Sequence, residues 1–262
     1  MAFATRSSVS ITYSSWKALF LREAVNRLSA GRAAWLWVLI GPLVHVAFML
    51  FMFTTVRVRS VGGADAVIWL AAGMLAFFMF RRTASQSMNA ISANRALFAY
   101  RQVKPVDTVL VRAGVEGFLM LMVTLIMFAA LGLFGHNIIP ADPLAVVEAM
   151  LGMWLIGLGF GLVTSVATEL VPELSRIIGM VMMPLYFLSG VMMPISSVPE
   201  PYRNWLLLNP LAHGLEATRL AFAPYYHAIP ELSVAYMYGF ALVLIFLGLA
   251  LHVRFANRMV MQ

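Results

Sequence analysis

The chain has no cysteine, only two lysines, and charged residues at only 11% of its 262 positions. Without cysteine there is no disulfide framework, no thiolate metal site and no cysteine nucleophile. The two lysines, Lys17 and Lys104, follow Trp16 and Val103, so no Gly-Lys pair exists and a Walker A phosphate loop is impossible. Five histidines, at 45, 136, 213, 227 and 252, show no HExxH or other close ligand spacing, and no metal site is expected. The acidic residues fall mostly at expected helix ends and in loops, with no paired-carboxylate or nucleophile–base constellation. Glu116 is the deepest of them; it stands one turn from Arg112, where an ion pair is expected.

What the chain has is apolar sequence, 62% of it hydrophobic against about 45–50% in a soluble domain. Lipid is therefore its main solvent. A net charge of +7 would suggest nucleic acid in a soluble protein. Here the basic residues cluster between apolar runs, as membrane orientation requires, and no nucleic-acid partner is expected. No signal peptide is visible: residues 1–32 carry Arg6, Lys17, Arg22, Arg27 and Arg32 without an early apolar core.

Ala33–Val56 runs 24 residues without Asp, Glu, Lys or Arg, about 36 Å as a helix against a hydrocarbon core of about 30 Å. Further spans are expected over 106–134, 144–168, 177–198 and 232–253. Ala66–Phe80 is too short alone, about 22 Å before Arg81 and Arg82 interrupt it. Either it is re-entrant, or its helix continues to about residue 90 with Arg81, Arg82, Thr83, Ser85 and Gln86 facing protein or water.

The expected fold is thus an all-α integral membrane domain of six transmembrane helices filling 1–262, without repeats or linkers. With the N-terminus inside, twelve basic residues lie on the inner side (6, 17, 22, 27, 32, 95, 101, 104, 112, 176, 254 and 258) and four outside (57, 59, 203 and 219). This bias places both termini in the cytoplasm. Residues 1–32 form the cytoplasmic N-terminus, with an amphipathic interface helix over 13–28 presenting Trp16, Leu19, Phe20, Ala24 and Leu28. Residues 199–231 begin and end on the outer face as a re-entrant or short helical hairpin between the fifth and sixth spans. In it Asn209-Pro210 reads as an N-cap and first helical position.

Three segments carry a resemblance to a known family. LREAVNRLSAGRAAWLWVLIGPL, from Leu21, resembles the amphipathic lead-in and first span of ABC-2-type export permeases. GMLAFFMFRRTASQSMNAISANRALFAYRQVKPVDTVLVRAGVE, from Gly73, is similar to the second span, cytoplasmic loop and third-span start of the family's capsular-polysaccharide branch. FLSGVMMPISSVPEPYRNWLLLNPLAHGLEATR, from Phe187, resembles the region between the fifth and sixth spans. The likeness covers nearly the whole chain in order.

The resemblance implies a homodimer of six-span subunits in the bacterial inner membrane, paired with two copies of a cytoplasmic ATPase that binds the ATP and magnesium. It also implies a lipid-linked capsular polysaccharide as substrate, with periplasmic or outer-membrane export proteins beyond. The same topology would serve an ABC-2 exporter of O-antigen, teichoic acid, lipid or drug. An integral-membrane lipid-sugar enzyme would need convergent acids or a metal, and a secondary transporter inverted repeats with broken helices; neither is evident.

By family analogy the cytoplasmic segment 91–105 couples to the ATPase through Arg95, Leu97, Phe98, Tyr100 and Arg101, which supply apolar anchors and a charged rim. Arg81 and Arg82 are expected on the translocation path, where a guanidinium fork suits phosphate or carboxylate. Snorkelling or pairing with a buried acid is the competing expectation. Met183, Tyr186 and Phe187 offer a soft aromatic surface beside Pro184, which should kink the fifth span; helix packing is the alternative. Tyr202, Arg203, Trp205, His213, Glu216 and Arg219 are expected to form an outer gate, or else an interface belt with local salt bridges. Gly157 and Gly161 form a GxxxG pair expected to let helices approach closely.

Overall fold

The axis of the molecule is α3 (Ala66–Met88), in which every residue from Ala66 to Phe80 is buried. The computed structural model describes residues 8–29, 34–55, 60–99 and 103–261. Over these the chain is helical apart from loops and one two-residue hairpin, β1 (Ser60–Val61) with β2 (Ala64–Asp65), turning at Gly62–Gly63. Asp65 then caps α3, its side chain accepting from Val67 N at 3.0 Å.

Before the hairpin come α1 (Ser8–Ser29) and α2 (Ala34–Thr55). After α3 come the single turn α4 (Ala90–Ala93), a 3-10 turn (Arg95–Ala99) and α5 (Pro105–Leu133). Then follow α6 (Pro143–Leu170), α7 (Leu174–Leu188), the short α8 (Tyr202–Leu206), α9 (Pro210–Phe222) and α10 (Val234–Met261). Pro105 and Pro143 occupy first helical turns, where a missing N–H costs nothing, and Asp142 caps α6 by accepting from Ala145 N at 3.0 Å.

Among the described residues four helices are long and apolar enough to cross a membrane: α3, α5, α6 and residues Val234–Ala256 of α10. Leu39–Thr55 of α2 and the whole of α7 are shorter apolar helices. α3 does not stop at Phe80. It carries Arg81 and Arg82 and ends at Met88, so the continuous-helix alternative holds and the re-entrant one does not. Arg81 is exposed and Arg82 half-buried, while Thr83, Ala84, Ser87 and Met88 stay inside.

The fifth expected span, 177–198, is corrected. Its helix ends at Leu188, because Gly190 takes a φ of +77°, a left-handed conformation that glycine adopts freely. Ser189 N and Gly190 N bond back to Leu185 O and Phe187 O, and the chain returns to bury Ile195. Apolar composition continued past Leu188 and hid the break. Pro184 lies inside α7.

The interior is made by α3 packing on α6, α5 and α9, with α10 lying along α6. Close approach of α3 and α6 depends on glycine: a Cβ at Gly157 would stand 2.8 Å from Phe80 O, and one at Gly161 2.3 Å from Ser87 Cβ. α7 is held lightly, with only Met182 and Tyr186 buried. α1 lies against α5, its Leu19 and Ala24 half-buried and its Trp16 and Phe20 exposed; the Leu28 side chain lies outside the described ones.

Candidate functional site

Charged side chains gather at two ends of the bundle. At the end where α1 meets α4, Arg82 Nε donates to Glu116 Oε2 of α5 at 3.2 Å, and Glu116 is fully buried. Arg112 meets Glu23 of α1 at 3.2 Å and donates to Asn89 O at 3.0 Å. The acid beside Arg112 is thus engaged by Arg82 across two helices, a contact that sequence spacing does not reveal.

Arg81 makes no hydrogen bond or ion pair among the described residues. It opens onto a cavity of about 310 Å³ between α2 and α3, walled by Pro42 and His45 on one side and by Phe78, Arg82, Ser85 and Gln86 on the other. The two arginines expected to act together are therefore differently placed.

The segment 91–105 is folded onto the bundle as α4 and the 3-10 turn. Phe98 points inward, 8% exposed, among Ile91, Val109, Leu158, Leu162 and Met259, so it anchors the segment to its own subunit. That corrects its expected role as a docking residue: its ring is taken up by the cluster beneath it, and burial leaves it no open face for a partner. Leu97 is half-buried, Arg95 is half-exposed and paired with the buried Glu169 at the end of α6, and Tyr100 and Arg101 lie outside the described residues. Two further bonds tie α1 here, Arg22 Nη2 to Asn94 Oδ1 at 3.2 Å and Trp16 Nε1 to Asp107 Oδ1 at 2.9 Å.

On α7, Met183 and Phe187 are exposed, whereas Tyr186 is buried against Phe77 with ring centroids 5.1 Å apart, its hydroxyl donating to Met192 Sδ at 3.5 Å. Tyr186 is corrected from a path-lining to a packed residue.

The expected outer gate divides likewise. Tyr202 and Trp205 are exposed and pack edge-to-face at 5.9 Å, with Arg203 paired to Glu200. His213, Glu216 and Arg219 are corrected: they are interior. His213 accepts at Nδ1 from Ser233 N (3.1 Å), so its Nε2 proton bonds Leu207 O at 2.9 Å.

Arg219 is enclosed completely. It donates from Nη1 to Glu216 Oε1 (2.9 Å) and Gly190 O (2.9 Å), from Nη2 to Val191 O (2.8 Å) and from Nε to Trp69 O at 3.4 Å. Its guanidinium also lies 3.6 Å from the Trp69 ring centroid. Tyr226 Oη donates to Glu216 Oε2 at 2.9 Å, and the burial and nearby carboxylate push that tyrosine well above its usual pKa. One side chain thus joins α9, α3 and the break after α7. The signals available were an acid and a base three residues apart in a run of small and apolar residues, and Gly73 on α3, where a Cβ would meet Arg219 Nη2 at 2.4 Å.

A family model, ABC-2 type transporter, matches residues 14–223, from within α1 to the end of α9, and so takes in Arg81, the segment 91–105, α7, Glu216 and Arg219. The chain belongs to the ABC-2 type transporter family. Among proteins to which this ABC-2 chain is similar, the polysialic acid transport protein KpsM of Escherichia coli is 33% identical over 248 residues, 94% of this chain and 95% of the relative. The capsule polysaccharide export inner-membrane protein CtrC of Neisseria meningitidis serogroup A is 30% identical over 243 residues, covering 92% and 90%. Its Haemophilus influenzae counterpart BexB is 24% identical over 202 residues, 77% and 76%. The likeness runs along nearly the full length of the first two, so the ABC-2 chain shares their plan rather than one segment of it.

Proposed function

We propose that this chain is the membrane subunit of an exporter that carries a lipid-linked capsular polysaccharide across the inner membrane, powered by two copies of a separate ATPase subunit that bind ATP and magnesium. The observation that carries the reading is the end-to-end similarity to capsule-export permeases, joined to the absence of any Gly-Lys pair in the sequence. The subunit acts as a homodimer, which supplies a path wide enough for a polymer that one bundle does not. Its periplasmic partners hand the polymer outward.

In this reading α2, α3, α5, α6, α7 and α10 cross the bilayer with both termini in the cytoplasm, as the twelve-to-four basic bias supports. α7 alone measures about 22 Å, short of the about 30 Å hydrocarbon core, and crosses where the bilayer thins around it. α8 and α9 dip from the outer face, and Tyr202, Arg203 and Trp205 stand at the exit. The segment 91–105 docks on the ATPase through Arg95, Leu97 and the neighbouring Tyr100 and Arg101, while Phe98 holds it to the bundle. Arg81, Met183 and Phe187 face the path.

The test is ATP hydrolysis by the purified complex with and without lipid-linked capsule polysaccharide. Stimulation by the glycolipid, lost in a Leu97→Asp variant that leaves Phe98 in place, is the expected result. Purified chain that binds no ATPase and itself modifies a lipid-linked sugar would overturn the reading in favour of a membrane enzyme.

A further inference from the structure

The cavity beside Arg81 has a lining unlike the others described. Two large cavities, about 680 and 690 Å³, are walled almost wholly by apolar side chains, and a third includes Asp142 and Glu148. The cavity between α2 and α3 brings Arg81, Ser85 and Gln86 from one face of α3 towards His45 of α2, and no carboxylate lines it. Its volume, about 310 Å³, is at the lower end of the about 300–1,000 Å³ typical of small-ligand sites. Arg82, although it also lines the wall, spends its Nε on Glu116. Among the described residues Arg81 has no such acid.

Depth supports the same ligand. Arg81 lies fifteen residues along α3 from Ala66 and seven short of Met88, about 22 Å from one end of the helix and about 10 Å from the other. With α3 spanning as proposed and Met88 at the inner face, an extended arginine at that level carries its guanidinium to the boundary where lipid acyl chains meet headgroups. A cation at the cavity wall, beside a hydroxyl, an amide and an imidazole, is a donor set for a phosphate oxygen cluster, which a guanidinium fork binds in bidentate fashion.

We infer that the α2–α3 cavity binds the phosphate of an anionic membrane lipid, with Arg81 as the contacting cation and Arg82 as its support. This deepens the export reading and rests on it only for the source of the phosphate, either bulk phospholipid or the lipid end of the transported molecule. The full chain, purified and offered dioleoylphosphatidylglycerol or dioleoylphosphatidylcholine, is read by native mass spectrometry for retained lipid. Arg81→Gln should reduce phosphatidylglycerol retention about tenfold, the worth of one charge-assisted contact, with phosphatidylcholine little changed. Arg254→Gln, on the exposed end of α10, should leave it near the original. Unchanged retention in Arg81→Gln, or equal losses in both variants, overturns the site.

Should Arg81→Gln fail to fold, Arg81→Lys decides: it keeps the charge without the fork and should lose a smaller part of the retention, while full retention refutes the guanidinium contact. Glycolipid-stimulated ATP hydrolysis by the complex separates the sources. Its loss in Arg81→Gln together with lipid retention assigns the phosphate to the transported molecule; its persistence assigns it to bulk phospholipid, and both support the site. If the unaltered complex shows no stimulation, the export reading fails while the retention result still judges the cavity.

Discussion

The two ends of α3 hold their charges in opposite ways. Towards Asp65, Arg219 and Glu216 are fully enclosed, and the guanidinium finds three backbone carbonyls, a carboxylate and an aromatic face. Towards Met88, Arg81 is open and has no ion-pair partner among the described residues, Arg82 is half-exposed, and Arg95 reaches the buried Glu169 from a half-exposed position. A buried, fully satisfied pair costs much to break and fixes one arrangement of its neighbours. Exposed pairs add little stability and can be exchanged for another partner. The Arg219 end is thus closed around its cation, whereas the cations Arg81 and Arg95 at the other end keep an open side.

Breaking the closed end should have the largest effect. Arg219→Leu leaves Glu216 charged and buried without its partner, a loss of about 3–5 kcal/mol, read as a fall in thermal midpoint and in monodisperse yield. Arg219→Lys should rescue little, because an ammonium cannot reach the carbonyls of Gly190, Val191 and Trp69 together. A stable Arg219→Leu protein would show that this network is dispensable.

The next effect comes from the spaces that admit these contacts. A methyl at Gly73 would meet Arg219 Nη2 at 2.4 Å, and one at Gly161 would meet Ser87 Cβ at 2.3 Å, whereas Gly179 has nothing within 4 Å. Gly73→Ala and Gly161→Ala should each cost about 1–3 kcal/mol by overpacking. Gly179→Ala should cost none of this. Equal behaviour of all three in thermal unfolding would mean that the helices shift freely to absorb a methyl.

Much of this was legible in the sequence. The all-helical, apolar character was legible throughout, and Asn209-Pro210 marked the start of α9, where Asn209 Oδ1 accepts from Leu211 N at 3.1 Å. The GxxxG pair marked the α3–α6 approach. The misses share a physical cause. In a lipid-facing helix hydrophobicity no longer separates inside from outside, so Tyr186 gave no sign that it points inward, and Phe98 in its short segment could serve equally as an anchor to its own bundle or to a partner. A charge near a loop looks exposed by the same habit, and the enclosure of Glu216 and Arg219 depends on Trp69 and Gly190, far away in sequence. The end of α7 was hidden because Gly190 sits in an unbroken apolar run.

At the open end the effect on stability should be the smallest and the effect on function the more telling. Glu169→Gln removes the charge that Arg95 meets and, for a pair half-exposed on one side, should cost no more than about 1 kcal/mol. If the pair carries movement from segment 91–105 to the end of α6, and so to α7 four residues later, then Arg95→Glu should lower the response to glycolipid further than it weakens binding of the ATPase. The exchange Arg95→Glu with Glu169→Arg should recover part of that response, which a contact serving only the ATPase surface would not allow. Recovery would tie the open end to motion; full activity of each single variant would leave the two ends of α3 different in stability alone.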